Sequence, residues 1–348
     1  MSRILVIRFS SIGDIVLTTA VVRCLRRKYG AAAQIDFLVK EKFKTVIEDN
    51  PHISNIITYS GDLDKTIHEL SGKQYQFIVD LQKNHRSKSV IRSLGVPSGT
   101  FNKLNFKKWL FTAFKINLLP GISIVERYFE AVAPLGVHND GQGLDYFIPE
   151  KDVTELEDVP LGHWSGFVGA VIGGAHATKK MPVEQWISFV EKCNYPVVLM
   201  GGPEDKENGD QIAVTDPGKV YNSCGKFNLN ESADLVRRAK VIVTHDTGLM
   251  HIAAAFQKAI VSIWGNTVPE LGMFPYYGFN DLENRIAPMS TIIEHQVYCR
   301  PCSKLGYNKC PLGHFKCMTR IKAQEISDAV DKLWHSVIQQ EKSEGKFI

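Results

Sequence analysis

An acidic side chain closes the loop that follows the first β-rich run of the chain, where the sequence reads FSSIGD over residues 9–14. A carboxylate at the carboxyl end of a parallel strand faces the edge at which such sheets bind ligands. Asp14 could therefore take a proton from a substrate hydroxyl, provided that burial or a bound anion raises its basicity above that of free aspartate, whose pKa is about 3.9. The alternative role is structural, because an aspartate at a helix start also caps free backbone N–H groups.

A second cluster of polar residues follows another β-rich run and leads into a helix of small residues, and it reads THDTGLMH over residues 244–251. The free amides of this helix start could hold a diphosphate, with Gly248 permitting close approach of the backbone. Asp246 could accept hydrogen bonds from a ribose or sugar hydroxyl. Thr247 and His251 are four residues apart and share a helix face. Taken singly, Asp246 and Thr247 also fit an N-cap and His251 a hydrogen-bonded core imidazole.

Two further predicted strand ends carry candidate ligand-binding groups. One is followed by HATKKMP, in which Thr178, Lys179 and Lys180 suit a phosphate-rich ligand, because lysine supplies a compact positive charge without a metal. The other is followed by GGPED, in which Glu204 could present its carboxylate to a ribose. Solvated lysines on a surface loop and a plain turn with capping acids are the respective alternatives.

Basic residues are also prominent in the first half of the chain. Lys83 and Arg86 follow the fourth β-rich run and could bind an anionic acceptor. Residues 102–115 read NKLNFKKWLFTAFK, which interleaves four lysines with four aromatic residues. This composition suits an anionic membrane surface, at about 1 kcal/mol per well-placed cation, and equally an amphipathic helix packed on its own domain.

Four of the seven cysteines, Cys299, Cys302, Cys310 and Cys317, lie within nineteen residues of one another. Four thiols at this spacing could form a tetrahedral zinc or an iron–sulfur site that orders a loop. The spacing is not that of a standard zinc ribbon or finger, so free thiols packed in a loop are the alternative.

Several nucleotide and catalytic motifs are missing from the sequence. No G-x-x-x-x-G-K-[ST], G-x-G-x-x-G or G-x-S-x-G occurs, which argues against an ATPase, a simple Rossmann dehydrogenase and a hydrolase. A D-x-D pattern, which chelates nucleotide-bound Mg²⁺ in some transferases, is present at residues 62–64. Because it begins a helical pattern, we predict that it caps a helix.

These residues must be positioned by regular elements of the chain. β-rich runs alternate with segments of helical periodicity in the first half, up to a polar stretch at about 137–160, and the same alternation restarts at Gly166. This βαβ pattern is typical of parallel sheets covered on both faces. The 348 residues, 44% of them apolar, fit two domains of about 150 residues each and exclude a small stapled module or global disorder. We therefore predict an α/β fold of two doubly wound, Rossmann-like domains facing across a cleft, at residues 1–155 and 160–322.

The overall charge and hydropathy limit the partners and the location. A formal net charge of +4 over this length is too small to indicate a nucleic-acid-binding protein. Arg8 and Asp14 interrupt the apolar N-terminus, which argues against a signal peptide, and no window of about 18 uncharged apolar residues is present. With seven cysteines, an odd number, the reducing cytoplasm is the expected location, and any lipid contact is expected to be peripheral.

Four segments together resemble the bacterial ADP-heptose:lipopolysaccharide heptosyltransferases of glycosyltransferase family 9, in order over nearly the whole chain. They are RFSSIGDIVLTTAVVRCLRRKYG, GGAHATKKMPVEQW, LMGGPEDKE and HDTGLMHIAAAFQKAIVSIWG. The resemblance implies a GT-B fold, with the donor in the C-terminal half, the acceptor in the N-terminal half and a final helix, at about 323–348, packed back on the first domain. It further implies inverting transfer of heptose from ADP-heptose to a lipopolysaccharide core acceptor, without a required cofactor and with peripheral contact to the inner membrane.

The resemblance also implies roles for individual residues. Asp14 corresponds to the general base of the family, and the family's Trp-Pro pair reads Met-Pro here, which leaves Lys180 as a register alternative to Lys179. The implied donor-binding residues are Thr178, Lys179, Lys180, Glu204, Asp246, Thr247, Gly248 and His251. The expected acceptor-binding residues are Ser11, Gly13, Lys83 and Arg86.

Two other functions stay open at this stage. One is a transferase of the same architecture that uses another nucleotide sugar or an acceptor other than lipopolysaccharide. The other is a noncatalytic module that binds nucleic acid through the cysteine loop and the basic aromatic stretch, which would require a concentrated basic face.

Overall fold

Two parallel β-sheets form the framework of the computed structural model, which describes residues 2–278 and 289–345. The first sheet has the order β3-β2-β1-β4-β5 and the second the order β11-β10-β9-β6-β7-β8. The strands of the first sheet are Arg3–Ile7 (β1), Gln34–Lys40 (β2), Asn55–Tyr59 (β3), Phe77–Asp80 (β4) and Ser98–Thr100 (β5). Those of the second are Val168–Val171 (β6), Val197–Met200 (β7), Val220–Asn222 (β8), Val241–His245 (β9), Ala259–Trp264 (β10) and Ser290–Glu294 (β11).

Helices cover the faces of both sheets and connect successive strands. They are Ile12–Val16 (α1), Thr19–Tyr29 (α2), Leu63–Ser71 (α3), His85–Leu94 (α4), Asn105–Phe114 (α5), Ile124–Tyr128 (α6), Val183–Lys192 (α7), Lys206–Ala213 (α8), Leu229–Arg238 (α9), Gly248–Ala255 (α10), Lys316–Thr319 (α11) and Ala323–Ser343 (α12). Between β2 and β3 the chain forms the 3-10 helix Glu41–Val46 rather than an α-helix. Asp62 caps α3 by accepting a hydrogen bond from the Lys65 N–H, as the sequence predicted for its D-x-D pattern.

The strands are parallel because each is joined to the next strand of its sheet by a crossover, and their composition fits burial on both faces. Four of the five residues of β1 and all five of β9 are buried. Each fully buried Val, Leu or Ile side chain contributes about 1.5–3 kcal/mol relative to an exposed one. The strand order reverses between β1 and β4 and again between β6 and β9, which confirms two doubly wound domains.

The boundary between the domains lies in residues 101–167, which contain no strand and connect β5 to β6. Within this segment, Asp140 and Asp145 form ion pairs with Arg23 of α2, at 2.8 and 2.6 Å. Tyr146 donates a hydrogen bond of 2.6 Å to the side chain of Asn230 in α9. The connection is therefore anchored to both domains rather than loose.

The last helix, α12, packs on the second domain. Its apolar face, formed by Ile326, Val330 and Leu333, is buried in the core of that domain and contacts α7 and strands β9 to β11. The prediction that residues 323–348 would pack back on the first domain is therefore wrong for the described part of this segment, since that apolar stripe completes the cover of the second sheet. Residues 346–348 lie outside the described residues.

None of the helices within residues 2–278 and 289–345 has the length and apolar character that crossing a bilayer requires.

Candidate active site

Asp14 lies in the first turn of α1, directly after β1, where its carboxylate has two partners. One oxygen accepts hydrogen bonds from the backbone N–H and the hydroxyl of Ser11, at 3.2 and 2.9 Å, so the residue does cap α1. The other oxygen lies 2.6 Å from Nη2 of Arg8. About a quarter of the side chain, 25%, remains exposed. The carboxylate is thus fixed in direction yet still partly accessible to solvent.

Arg8 holds this arrangement together, and reasoning from the sequence missed it. Besides the Asp14 pair, its guanidinium donates to the carbonyl oxygens of Ser10 and Leu81, at 2.9 and 2.6 Å, and to the Tyr128 hydroxyl at 3.1 Å. The available signal was an arginine at the end of a buried apolar run, since buried arginines need several acceptors. The bonds to different parts of the first domain fix the guanidinium against Asp14.

The electrostatic surroundings of Asp14 favour its charged form. Burial opposes ionisation of the carboxyl, but the charge of Arg8 and the two hydrogen bonds from Ser11 outweigh it, so the pKa of Asp14 lies below its ordinary value. The pKa of Arg8 is raised although burial acts to lower it, because Asp14 and Tyr128 act in the opposite direction. Asp14 is therefore ionised at neutral pH.

Two glycines bring α1 of the first domain against the start of α10 in the second. A Cβ atom at Gly13 would lie 2.5 Å from Cδ2 of His251, and one at Gly248 would lie 2.8 Å from Cγ2 of Ile12. Such distances are too short for real side chains, so both positions require glycine for this approach. The structure thus brings Asp14 next to the segment 247–251, as a shared site requires.

His251 lies inside this contact and is almost completely buried. Burial lowers the pKa of the imidazole to about 4, so the ring is neutral at pH 7. Its Nδ1 atom has no hydrogen-bond partner among the described residues. A neutral ring with a free nitrogen can still donate to or accept from a ligand, depending on its tautomer.

The carboxylate of Asp246 is surrounded by donors from two other loops. Its Oδ2 atom accepts from the Lys179 ammonium at 2.6 Å and from the Thr267 hydroxyl at 3.1 Å. Lys180 instead forms an ion pair of 2.9 Å with the buried Asp205 in the 201–205 turn. Of the two register alternatives, Lys179 thus lies beside Asp246, whereas Lys180 is bound to the 201–205 turn.

The start of α10 offers unoccupied backbone donors. Thr247 is the N-cap residue, but its side chain makes no capping hydrogen bond; its hydroxyl lies 3.2 Å from that of Thr244 instead. The first N–H groups of α10 are therefore without a side-chain acceptor, and such groups bind phosphates well.

Thr178 and Glu204 are the remaining residues predicted to bind the donor, and only Glu204 is exposed. The Thr178 hydroxyl exchanges hydrogen bonds with the backbone N–H and carbonyl of Tyr307, at 2.8 and 3.2 Å, so it is bound to the cysteine loop rather than free for a ligand. Glu204 is exposed in the turn that packs against Gly173 at the end of β6. That position lies beside the same sheet edge as Asp246, because β6 pairs with β9.

The residues predicted to bind the acceptor are spread around the first domain. Ser11 is exposed next to Asp14, and Gly13 forms the contact with α10 described above. The Lys83 ammonium donates to the Phe101 carbonyl at 2.6 Å, and the Arg86 guanidinium lies 5.8 Å from the ring centre of Tyr59. The structure does not bring Lys83 or Arg86 into contact with Asp14.

Two other lysines interact electrostatically with Asp14. They are Lys103 and Lys108, which the sequence placed in the basic aromatic stretch. Burial, with Arg127 and Lys304 nearby, lowers the pKa of Lys108 to about 7. Because a bound anion would favour the charged lysine, this position suits a phosphate or carboxylate of the acceptor.

The four cysteines of residues 299–317 are free thiols. The Sγ atom of Cys299 lies 3.6 Å from Nε2 of His314. Burial raises the pKa of Cys302 to about 12 and that of Cys317 to about 11, which favours the neutral thiols. Across the part of the chain that the structure describes, no three His, Cys, Asp or Glu side chains come close enough to hold a metal ion. The zinc site is not assembled here and stays a prediction, which metal analysis of the purified protein tests.

Comparison with known proteins gives consistent results in sequence and in structure. Residues 63–304 match the model of glycosyltransferase family 9 (heptosyltransferase). The chain is 25% identical over 293 residues to lipopolysaccharide heptosyltransferase 2 of Escherichia coli K12, covering 77% of this chain and 84% of that protein.

Two solved structures show the same fold over nearly the full length. A family 9 glycosyltransferase from Veillonella parvula has a TM-score of 0.76 at 22% identity, covering 96% of this chain and 98% of the other. The ADP-heptose lipopolysaccharide heptosyltransferase II of E. coli has a TM-score of 0.69 at 21% identity, covering 98% and 100%.

Proposed function

Because this chain belongs to glycosyltransferase family 9, we propose that it transfers heptose from ADP-heptose to a sugar of the lipopolysaccharide core. The chain is a glycosyltransferase with a GT-B fold. The observation that carries the proposal is the contact between α1 and α10, which brings the carboxylate of Asp14 next to the uncapped helix start at residues 247–251. A base from one domain and an anion-binding helix start from the other are the two parts that the reaction needs.

The donor occupies the second domain in this proposal. Its diphosphate lies against the first N–H groups of α10 and the ammonium of Lys179, which supply fixed positive charge. Asp246 and Glu204 accept hydrogen bonds from hydroxyl groups of the donor. In the structure without a ligand, Lys179 pairs with Asp246, so binding of the diphosphate has to compete with this ion pair.

The acceptor approaches from the first domain. Its hydroxyl oxygen attacks the anomeric carbon while the bond from that carbon to the diphosphate oxygen breaks, and the bonding electrons leave with ADP. The hydroxyl proton passes to Asp14. Attack opposite to the leaving group inverts the configuration of the anomeric carbon. No metal ion or other cofactor is required in this scheme, because α10 and Lys179 stabilise the charge of the leaving group.

The low pKa of Asp14 does not rule out this role. A hydroxyl becomes much more acidic as its oxygen bonds to the anomeric carbon, so a weak base can take the proton late in the reaction. The ion pair with Arg8 keeps the carboxylate ionised and ready to accept a proton throughout the neutral pH range.

The experiment that tests the function is a transfer assay with defined partners. The purified protein is incubated with ADP-heptose and lipopolysaccharide acceptors truncated at different core positions, and the products are identified by mass. We expect one acceptor to gain one heptosyl residue. Transfer from another nucleotide sugar, with none from ADP-heptose, would contradict the proposed donor.

The proposed acceptor also bears on location. A lipopolysaccharide precursor is anchored by its lipid in the membrane, so we propose that the protein acts at the cytoplasmic face of the inner membrane as a peripheral protein. Cell fractionation tests this, with the protein expected in the membrane fraction at low salt and released at high salt.

A further inference from the structure

The net positive charge of this protein comes from two segments that contain no acidic residue. Residues 101–125 and 295–324 together contain ten Lys or Arg and no Asp or Glu. The rest of the chain has 31 Lys or Arg against all 37 Asp and Glu, and hence a net charge of −6. The small net charge of +4 is thus the sum of a strongly positive part, these two segments, and a negative remainder of the chain.

The two segments are far apart in sequence and belong to different domains, but they meet in the structure. The Lys115 ammonium at the end of α5 donates a hydrogen bond of 2.8 Å to the Pro301 carbonyl. Lys304 is close enough to act electrostatically on Lys103 and Lys108. Residues of both domains therefore form one surface, which we call the basic aromatic face and define as residues 103–118 and 298–313.

None of the residues of the helix α5 is fully buried, but Lys108, Leu110, Phe111 and Thr112 are half-buried. One side of the helix is therefore partly covered by the protein, and the other side is exposed. Phe106, Trp109 and Phe114 are 69%, 52% and 59% exposed. The ring of Trp109 contacts the other two, at centroid distances of 5.9 and 5.3 Å. Water-exposed aromatic contacts of this size are unusual in a protein that has no partner for them.

Exposed apolar side chains also occur on this face outside α5, in both segments. They are Ile116, Leu118, Tyr298, Leu305, Tyr307 and Leu312. Leu305 and Tyr307 lie between Lys304 and Lys309, so apolar and basic side chains alternate in the second segment as they do in the first.

We propose that the basic aromatic face docks on an anionic lipid bilayer, with its lysines at the lipid phosphates and its aromatic and aliphatic side chains at the level of the headgroups. Lysines combined with aromatic residues at an exposed helix are the chemistry that interfacial binding uses. Nucleic acid fits less well, because bases stack on aromatic rings and gain nothing from exposed leucines. A second copy of the chain fits poorly, because like charges would oppose each other.

Docking through this face has a consequence for the reaction. Lys103 and Lys108 belong to this face and are close enough to Asp14 to interact with it electrostatically, so the membrane would border the acceptor side of the proposed active site. This consequence rests on the proposed function, because it needs a lipid-anchored acceptor. Binding to the bilayer itself does not depend on it.

The first test is vesicle binding of the full chain. Vesicles of phosphatidylcholine alone are compared with vesicles of equal parts phosphatidylcholine and phosphatidylglycerol in a flotation assay. We expect binding to the anionic vesicles, weakened by salt, and little to the neutral ones. Trp109 should move to a less polar site, so a blue shift of tryptophan emission should appear with anionic vesicles and should be lost in Trp109→Phe.

Variants then separate the apolar from the charged contribution. We expect the double variant Phe106→Ser with Phe114→Ser, and the double variant Lys107→Glu with Lys309→Glu, each to weaken vesicle binding about tenfold or more. The matched controls are Leu161→Ser, at an exposed apolar position before β6 and hence at the opposite edge of the second sheet, and Lys151→Glu, at an exposed lysine outside both segments. Both controls should bind like the wild type.

Activity distinguishes failure of this inference from failure of the proposed function. The two double variants should keep wild-type transfer to an acyl-free, water-soluble acceptor and lose transfer to the same acceptor embedded in anionic vesicles. Vesicle binding by both double variants at the wild-type level would overturn the proposed docking surface. It would also be overturned if the wild-type protein did not bind anionic vesicles but bound oligonucleotides or dimerised through this face. Vesicle binding without any transfer from ADP-heptose would overturn the proposed function alone.

Discussion

The residue that sets the properties of the candidate base is Arg8, which directly follows the first strand. Arg8 is bound to Asp14 and to acceptors on two other segments, so it fixes both the direction and the charge of the carboxylate. The sequence located Asp14 from its position after a strand. It did not reveal Arg8, because the acceptors at Leu81 and Tyr128 come together only in the folded chain.

This pairing predicts the pH dependence of the reaction. In Arg8→Met the pKa of Asp14 should rise, because the largest favourable interaction of its charged form is lost. The acid limb of the kcat/KM profile should therefore move to higher pH. The variant should also be less stable near neutral pH, and by less as the pH falls, since a depressed carboxylate pKa stabilises the folded state only where the group is ionised. If the acid limb of Arg8→Met lay at the same pH as those of the wild type and of the exposed control Arg92→Met, the role of Arg8 would be contradicted.

Lys179 and Lys180 are adjacent but have different partners, so we expect different effects when each is substituted. Lys179→Ala should weaken ADP binding about tenfold or more, because it removes a positive charge next to the proposed diphosphate position, and it should also lower stability, because Asp246 loses its cation. Lys180→Ala should leave the buried Asp205 without its cation and lower stability by about 1–3 kcal/mol, with a smaller effect on ADP affinity. Calorimetric titration with ADP distinguishes the two variants, and thermal unfolding measures the stability that each one loses. The opposite ranking of ADP affinities would show that Lys180 is the donor-binding lysine. Reasoning from the sequence could not choose, since neighbouring side chains of a loop point in different directions.

At the scale of elements, the contact of α1 with α10 decides whether the base and the donor site can meet. Both helices start directly after a strand, β1 or β9, at the sheet edge where ligands bind. Small residues at the contact positions let the two backbones approach, and Gly13 is the position with the least room.

A single methyl group should disturb this contact. Gly13→Ala puts its Cβ 2.5 Å from the His251 ring, so one helix has to shift. We expect kcat to fall about tenfold or more, because small displacements of reacting groups are costly. Gly162→Ala is a suitable control, since nothing lies within 4 Å of the added atom. Wild-type kinetics for Gly13→Ala would show that the approach of α1 to α10 is unimportant for turnover.

Long elements with a strong apolar pattern were predicted well from the sequence. Short elements, and elements whose position depends on contacts with distant segments, were predicted poorly. The apolar runs at β1 to β4, β6, β7, β9 and β10 were recognisable from composition, and α7 from its periodicity. The three-residue strands β5 and β8 were not, because such strands depend on their neighbours in the sheet. The packing of α12 was mispredicted because an apolar stripe shows that a helix is covered, but not by which domain.

At the scale of the whole molecule, two domains of similar build divide the work. The first carries the candidate base and the second the helix start proposed to bind the diphosphate, and the candidate site lies where they meet. The sequence predicted two doubly wound parallel sheets, and the comparisons show the family. The charge separation between the basic aromatic face and the rest of the chain became clear only when two distant segments proved to be neighbours.

Nucleotide preference is a property of this whole assembly and is measured on the intact chain. Binding of ADP at about 100 times its Kd should stabilise the folded protein by about 2.7 kcal/mol and raise the melting temperature. UDP and GDP at the same concentration should raise it less. A larger shift with UDP or GDP would indicate another nucleotide sugar as the donor.

The most direct test of the account is the rate of heptose transfer by Asp14→Asn under conditions that saturate both substrates. Asparagine keeps the size of the side chain and can still accept from Ser11, but it cannot take a proton at neutral pH. We predict a kcat lower by about 10²- to 10⁴-fold, with ADP affinity near that of the wild type. Turnover at the wild-type rate, measured by mass of the heptosylated acceptor, would contradict the assignment of Asp14 as the base.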